Sequence, residues 1–214
     1  MNLGIKKSQL GLILVLGSVW GFSEAGLGMG LRSCASFVSG AIMTGVALFF
    51  IAATWASTRK LLGIVLLIFI ASLFKLFDAF LLSLPVLHGA VANPIFAFIM
   101  EGAAFVLLLF VFSQKLREKA AGQALMGAMA ALVAVNLFPL VKFATGIPAC
   151  VVPGTGYPLS LYYAPLAVAL SFVTVPAGLW VGERMESIGA KVRFVFSPAA
   201  LALGLALMAV LRLI

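Results

Sequence analysis

Ionisable side chains are scarce in this chain of 214 residues: Asp, Glu, Lys and Arg make up 9% of it, where a soluble domain carries about a quarter. A water-soluble enzyme is excluded on that ground, because a chain that is 64% apolar lacks the polar residues to cover itself in water. Histidine occurs once, as His88, which leaves no bis-histidine haem site and no multi-histidine zinc site. No metal and no organic cofactor are expected. The sequence has no Gly-x-x-x-x-Gly-Lys-Ser/Thr loop for nucleotide phosphates and no Gly-x-Ser-x-Gly elbow for a serine nucleophile. Gly26-Leu27-Gly28-Met29-Gly30 closes an apolar run instead of following a strand, so it is not a dinucleotide fingerprint. The net charge of +8 rests on so few charges that its sign reports loop topology, not a nucleic-acid partner.

What the chain has in abundance is long apolar runs. Seven segments approach the ~20 residues that cross a bilayer core: Leu10–Leu31, Ala35–Ala56, Leu61–Leu87, Pro94–Phe112, Ala121–Val141, Leu161–Val181 and Phe194–Ile214. Their lack of period-two alternation excludes barrel strands, so the expected fold is an all-α polytopic transmembrane helix bundle, a single domain over residues 1–214 whose first partner is the lipid bilayer. Lys6, Lys7, Arg59, Lys60, Lys115, Arg117, Lys119, Arg184, Lys191 and Arg193 fall in alternate connections and hence on one side. Because cytoplasmic loops retain Lys and Arg, the N-terminus is placed in the cytoplasm and the C-terminus outside, in a bacterial inner membrane. A re-entrant segment would leave six spans and break that alternation; the charge pattern favours seven. Lys6 and Lys7 before an apolar run, followed by Leu31-Arg32-Ser33-Cys34, have the outline of a cleaved leader, but Glu24 and Arg32 argue against cleavage.

Glycine is concentrated at the end of the first span. Gly17/Gly21 and Gly26/Gly30 have small-xxx-small spacing, which lets helix backbones approach one another. Close packing on a neighbouring helix or on a second chain explains them, and so does a loosened segment that offers backbone groups to a ligand. On the outer side, Pro148, Pro153 and Pro158 with Gly154 and Gly156 forbid a regular helix across Gly146–Ser160. Cys34 and Cys150 fall on that side too, where a disulfide between them is chemically permitted; two unrelated thiols are the alternative.

The informative residues are the polar groups inside the spans. At ~1.5 Å rise per residue, Glu24 lies ~21 Å up the first span, Lys75 and Asp78 ~21 and ~26 Å up the third, Glu101 ~10 Å below the outer end of the fourth and Asn136 ~22 Å up the fifth. Ionisable groups at such depth cost several kcal/mol unless they face the bundle interior and pair, and they commonly mark a site or pathway. Glu24, Lys75, Asp78, Glu101 and Asn136 are therefore the candidate binding residues. Lys142 and Arg32 would compensate the acids, His88 lies in an outer connection, and Trp20 stands one turn before Glu24, where an aromatic face suits a flat or cationic ligand. Tyr157, Tyr162 and Tyr163 form an outer aromatic belt or a ligand contact.

The reading that follows is a small membrane protein that binds or transports a small polar or ionic solute through an outward-facing charged cavity, without catalysis of its own. In size, helix number and outward-facing polar pocket the chain resembles the small substrate-capturing membrane subunits of energy-coupling-factor vitamin transporters, which implies a membrane subunit of a larger transporter. Two alternatives stand beside it. One is a scaffold or assembly subunit whose buried charges lock helix register and whose glycine-rich face binds a partner helix or a second copy. The other is a membrane enzyme on a lipid-linked substrate, with a carboxylate as base.

Overall fold

The computed structural model describes residues 5–30, 36–146, 151–152, 154–187 and 190–213, without the side chains of 26–30, 36–37, 186–187, 190–197 and 211–213. Arg32, Cys34 and Cys150 lie outside the described residues. The helices are α1 (Lys7–Gly30), α2 (Ser36–Thr58), α3 (Leu61–Leu81), α4 (Gly89–Val111), α5 (Gln114–Arg117), α6 (Ala120–Leu137), α7 (Val141–Thr145), α8 (Leu159–Ser187) and α9 (Ala190–Leu213). Among the described residues the only extended pairing is an isolated bridge between Val151 and Pro158. Against seven expected spans, five segments among the described residues are long and apolar enough to cross a membrane: Val38–Thr58, Leu61–Leu81, Gly89–Val111, Ala120–Thr145 and Leu159–Met185. The chain is thus all-α and carries the helices of an integral membrane protein. The first and last helices, α1 and α9, are 24 residues each; within α9 the described apolar stretch is Pro198–Val210.

Element boundaries follow local chemistry. Between α2 and α3 the Thr58 hydroxyl donates to the Thr54 carbonyl at 2.7 Å and accepts the Lys60 amide at 3.3 Å. Arg59 between them takes a left-handed backbone at φ 52, which no helix continues through. α3 ends earlier than the apolar run suggests, at Leu81 instead of Leu87, because Ser83 is also left-handed at φ 52. α4 starts at Gly89, five residues before Pro94, because His88 caps it: its Nδ1 accepts the Ala90 amide at 3.2 Å. At the end of α6, Pro139 tightens the chain into a 3₁₀ turn, Phe138–Leu140, before α7 resumes. α8 runs on to Ser187 with Pro165 and Pro176 inside it.

One apolar core joins α1, α2, α3, α4, α6, α8 and α9. Within it α2 packs most extensively on α8, α8 on α6, and α1 on α3 and α9. Glycine sets these distances. A Cβ on Gly178 would collide with the Phe49 carbonyl oxygen, and one on Gly182 with the Ala53 carbonyl oxygen, so two turns of α8 rest directly on the α2 backbone. Gly127 of α6 meets the Ser171 carbonyl of α8 in the same way. Gly17 and Gly21 seat Ile70 and Phe74 of α3: an added Cβ would lie 2.8 Å from Ile70 Cγ2 and 2.5 Å from Phe74 Cγ. The close packing expected of this glycine pair is therefore present. The Gly178/Gly182 pair has the same spacing on α8 and was not singled out in the sequence.

The helix ends are sorted. Gln9 Nε2 donates to the Thr58 carbonyl at 3.2 Å, tying the start of α1 to the end of α2. Arg59 bridges to Glu183 at 2.9 Å, tying the end of α2 to the end of α8. Lys6, Arg59 and Arg184 consequently share one end of the bundle, and the α5 loop with Lys115, Arg117 and Lys119 closes on the same end. This is termed the basic end below.

Candidate functional site

Four helices deliver polar side chains to one buried cluster. α1 supplies Glu24, α3 supplies Lys75 and Asp78, α4 supplies Glu101 and α2 supplies Thr44, and all are at most 5% exposed. Lys75 Nζ and Asp78 Oδ2 lie 3.5 Å apart on one face of α3, as a three-residue spacing allows. Glu24 is within electrostatic reach of Lys75 and of Glu101, and the Thr44 hydroxyl hydrogen-bonds the Glu101 carboxylate. One Glu101 oxygen, Oε2, is buried without a hydrogen-bond partner.

The depths differ from those read off the sequence. With α4 starting at Gly89 and ending at Val111, Glu101 lies near its midpoint, ~15 Å from the basic end, while Glu24 is ~26 Å up α1. Helix polarity narrows that gap. Cα–Cβ bonds tilt toward a helix N-terminus; α1 begins at the basic end and α4 finishes there, so Glu24 leans toward that end and Glu101 away from it. The two carboxylates approach each other from opposite levels. Trp20 and Phe98 occupy the level between them, with ring centroids 4.8 Å apart, and Phe50 stacks on Trp20 at 6.4 Å. Trp20 is fully buried, and its indole Nε1 has no hydrogen-bond partner.

The other candidates lie elsewhere. Asn136 is exposed on α6, and its amide donates to its own helix at the Leu132 carbonyl, 2.7 Å away. A helix places consecutive side chains around its whole circumference, so depth alone did not tell which way Asn136 faces. Lys142 is exposed on α7, because the turn at Pro139 carries it out of the α6 register. His88 is exposed and serves as the α4 cap. Arg32 and the Cys34/Cys150 pair fall outside the described residues. Of the basic residues expected to balance the acids, only Lys75 joins the cluster among the described residues.

Among the described residues the cluster therefore holds three carboxyl groups and one ammonium. Among the described residues no three His, Cys, Asp or Glu side chains stand close enough to hold a metal ion. Thr44, Phe50 and Phe98 were missed in the sequence. A threonine or phenylalanine in an apolar helix carries no periodic signal, and only tertiary contact shows which of them meets a carboxylate or an indole.

Comparison with protein-family models, with curated proteins and with solved structures yields no match to the chain. The likeness to vitamin-transporter subunits accordingly rests on architecture alone.

Proposed function

We propose that the chain is a small integral membrane protein that binds, and in a larger assembly passes, a proton or a small cationic solute at Glu24 and Glu101. The carrying observation is the buried imbalance, among the described residues, of three carboxyl groups against one ammonium. Unpaired negative charge inside a bundle is costly, so the excess is met by protons or by a bound cation. The free Glu101 Oε2 is the acceptor that such a ligand would engage, and Phe98, one turn before it on α4, packs on Trp20, an aromatic pair that suits a cation. Lys75 holds Asp78 and limits the net charge. In this reading all seven long helices cross the bilayer of a bacterial inner membrane, with the basic end cytoplasmic and the C-terminus outside. Energy comes from a gradient or from a partner subunit.

The scaffold reading has one observation in its favour: the cluster is closed, with none of its charged members more than 5% exposed, as register-locking ion pairs would be. The two readings separate in a thermal-shift screen of the purified protein against pH and a panel of ammonium, alkali-metal and organic cations. Solute binding predicts concentration-dependent stabilisation, about 2.7 kcal/mol at a hundredfold excess over Kd, lost in both Glu24→Gln and Glu101→Gln. A flat response in the wild-type chain, together with lowered stability in both amides, would leave the scaffold.

A further inference from the structure

A cleft of about 560 Å³ opens at the basic end, where α2, α4, α6 and α8 meet the α5 loop. Its floor is apolar, made by Trp55, Leu109, Met126 and Leu179. Its mouth is polar. On one wall Arg59 and Glu183 neutralise each other at 2.9 Å. In the α5 loop Glu118 Oε1 accepts from Gln114 Nε2 at 3.0 Å, and Gln123 Nε2 pins the loop by donating to the Arg117 carbonyl at 3.0 Å. Arg117 stands apart: its Nε is buried and has no hydrogen-bond partner, while Lys115 and Lys119 flank it in exposed positions.

We propose that this cleft binds the phosphodiester of an anionic glycerophospholipid, with Arg117 on the phosphate and the glycerol and first acyl carbons over Trp55 and Leu109. A buried guanidinium N–H without a partner calls for an acceptor, and the planar guanidinium fork matches phosphate oxygens. The cleft lies where apolar spans end and basic loops begin, which is headgroup depth for an anionic lipid. Its volume is in the range of small-molecule sites and far exceeds a lone inorganic ion. Charge selects further. The lining holds two arginines and two carboxylates, so a singly charged diester fits better than a multiply charged nucleotide. The apolar floor has no role for a soluble anion and a direct one for acyl carbons.

The test is native mass spectrometry of the full chain in detergent, titrated with phosphatidylglycerol, phosphatidylcholine and glycerol 3-phosphate. Phosphatidylglycerol is retained over phosphatidylcholine, Arg117→Gln lowers its retention at least fivefold, and Lys119→Gln, the same charge change outside the cleft, leaves it within twofold. Arg117→Lys, which keeps the charge and loses the fork, gives an intermediate loss and serves where Arg117→Gln alters the elution volume. Equal retention by the Arg117 variants and wild type, or equal losses at Arg117 and Lys119, would overturn the site. Glycerol 3-phosphate binding as tightly as the lipid would overturn the lipid assignment. Glu24→Gln and Glu101→Gln keep the lipid, so this result is independent of the acidic cluster.

Discussion

Lys75 Nζ lies 3.5 Å from Asp78 Oδ2 on a single face of α3, with both side chains at most 5% exposed. Removing Lys75 takes the ammonium away from Asp78 and from Glu24, whereas removing both members of the pair also removes one of the carboxylates it balances. Lys75→Met is expected to destabilise the protein by about 3–5 kcal/mol, and Lys75→Met with Asp78→Leu to recover most of that loss. Unfolding of the two variants in mixed micelles measures the difference. Equal stability of the single and double variants would mean that Asp78 does not depend on Lys75.

Glu101 tests the charge excess directly. Glu101→Gln keeps the shape and the Thr44 hydrogen bond while removing one negative charge, so stability should be unchanged or raised by about 1 kcal/mol. Glu101→Leu removes the acceptor for Thr44 as well and should cost about 1–2 kcal/mol relative to Gln. The same unfolding assay reads both, and a large loss in Glu101→Gln would show that the carboxylate charge is needed to hold the bundle.

The α2–α8 contact depends on absent side chains. Gly182→Leu drives carbons into the Ala53 carbonyl and should cost at least about 3 kcal/mol, beyond the usual range for overpacking because backbone must move. Gly156→Ala, with nothing within 4 Å of the added methyl, should change stability by less than about 0.5 kcal/mol. Melting temperatures of the two variants provide the comparison.

Arg59 combines a left-handed backbone at φ 52 with an exposed ion pair to Glu183. A non-glycine residue there carries about 1 kcal/mol of strain, and an ion pair whose side chains are 57% and 54% exposed contributes under about 1 kcal/mol after solvent screening. The effects oppose, so Arg59→Gly should leave stability within about 1 kcal/mol of wild type. Glu183→Gln, which removes only the pair, should be slightly destabilising. Chemical denaturation of both separates strain from charge.

Sidedness is open to a direct measurement. In a background with Cys34 and Cys150 replaced by serine, Lys119→Cys should be labelled by a membrane-impermeant thiol reagent only after the cytoplasmic face is exposed, and Tyr157→Cys in intact cells. The reverse pattern would invert the proposed orientation.

Much of the layout was legible without coordinates because its determinants are local. Length and apolarity mark α2, α3, α4, α6 and α8, and the basic residues mark one set of connections, which the Gln9–Thr58 and Arg59–Glu183 contacts gather at one end. Glu24, Lys75, Asp78 and Glu101 stood out because ionisable residues are rare at such depth, and all four are buried together. Asn136 and Lys142 were chosen by the same rule and face outward. The rule gives distance along a helix, while burial depends on rotation about its axis and on a break such as the one at Pro139.

Composition and charge order alone determined that this chain forms apolar helices with its basic loops in alternate connections, since a 20-residue apolar run and a lysine beside it carry that information within themselves. Only the tertiary structure decided that Glu24 and Glu101 come within electrostatic reach of each other, that one ammonium serves three acids among the described residues, and that Arg59 and Arg117 line one cleft. Those relations depend on helix rotation, polarity and the approach distances allowed by Gly127, Gly178 and Gly182. They are properties of pairs of helices, and no single segment encodes them.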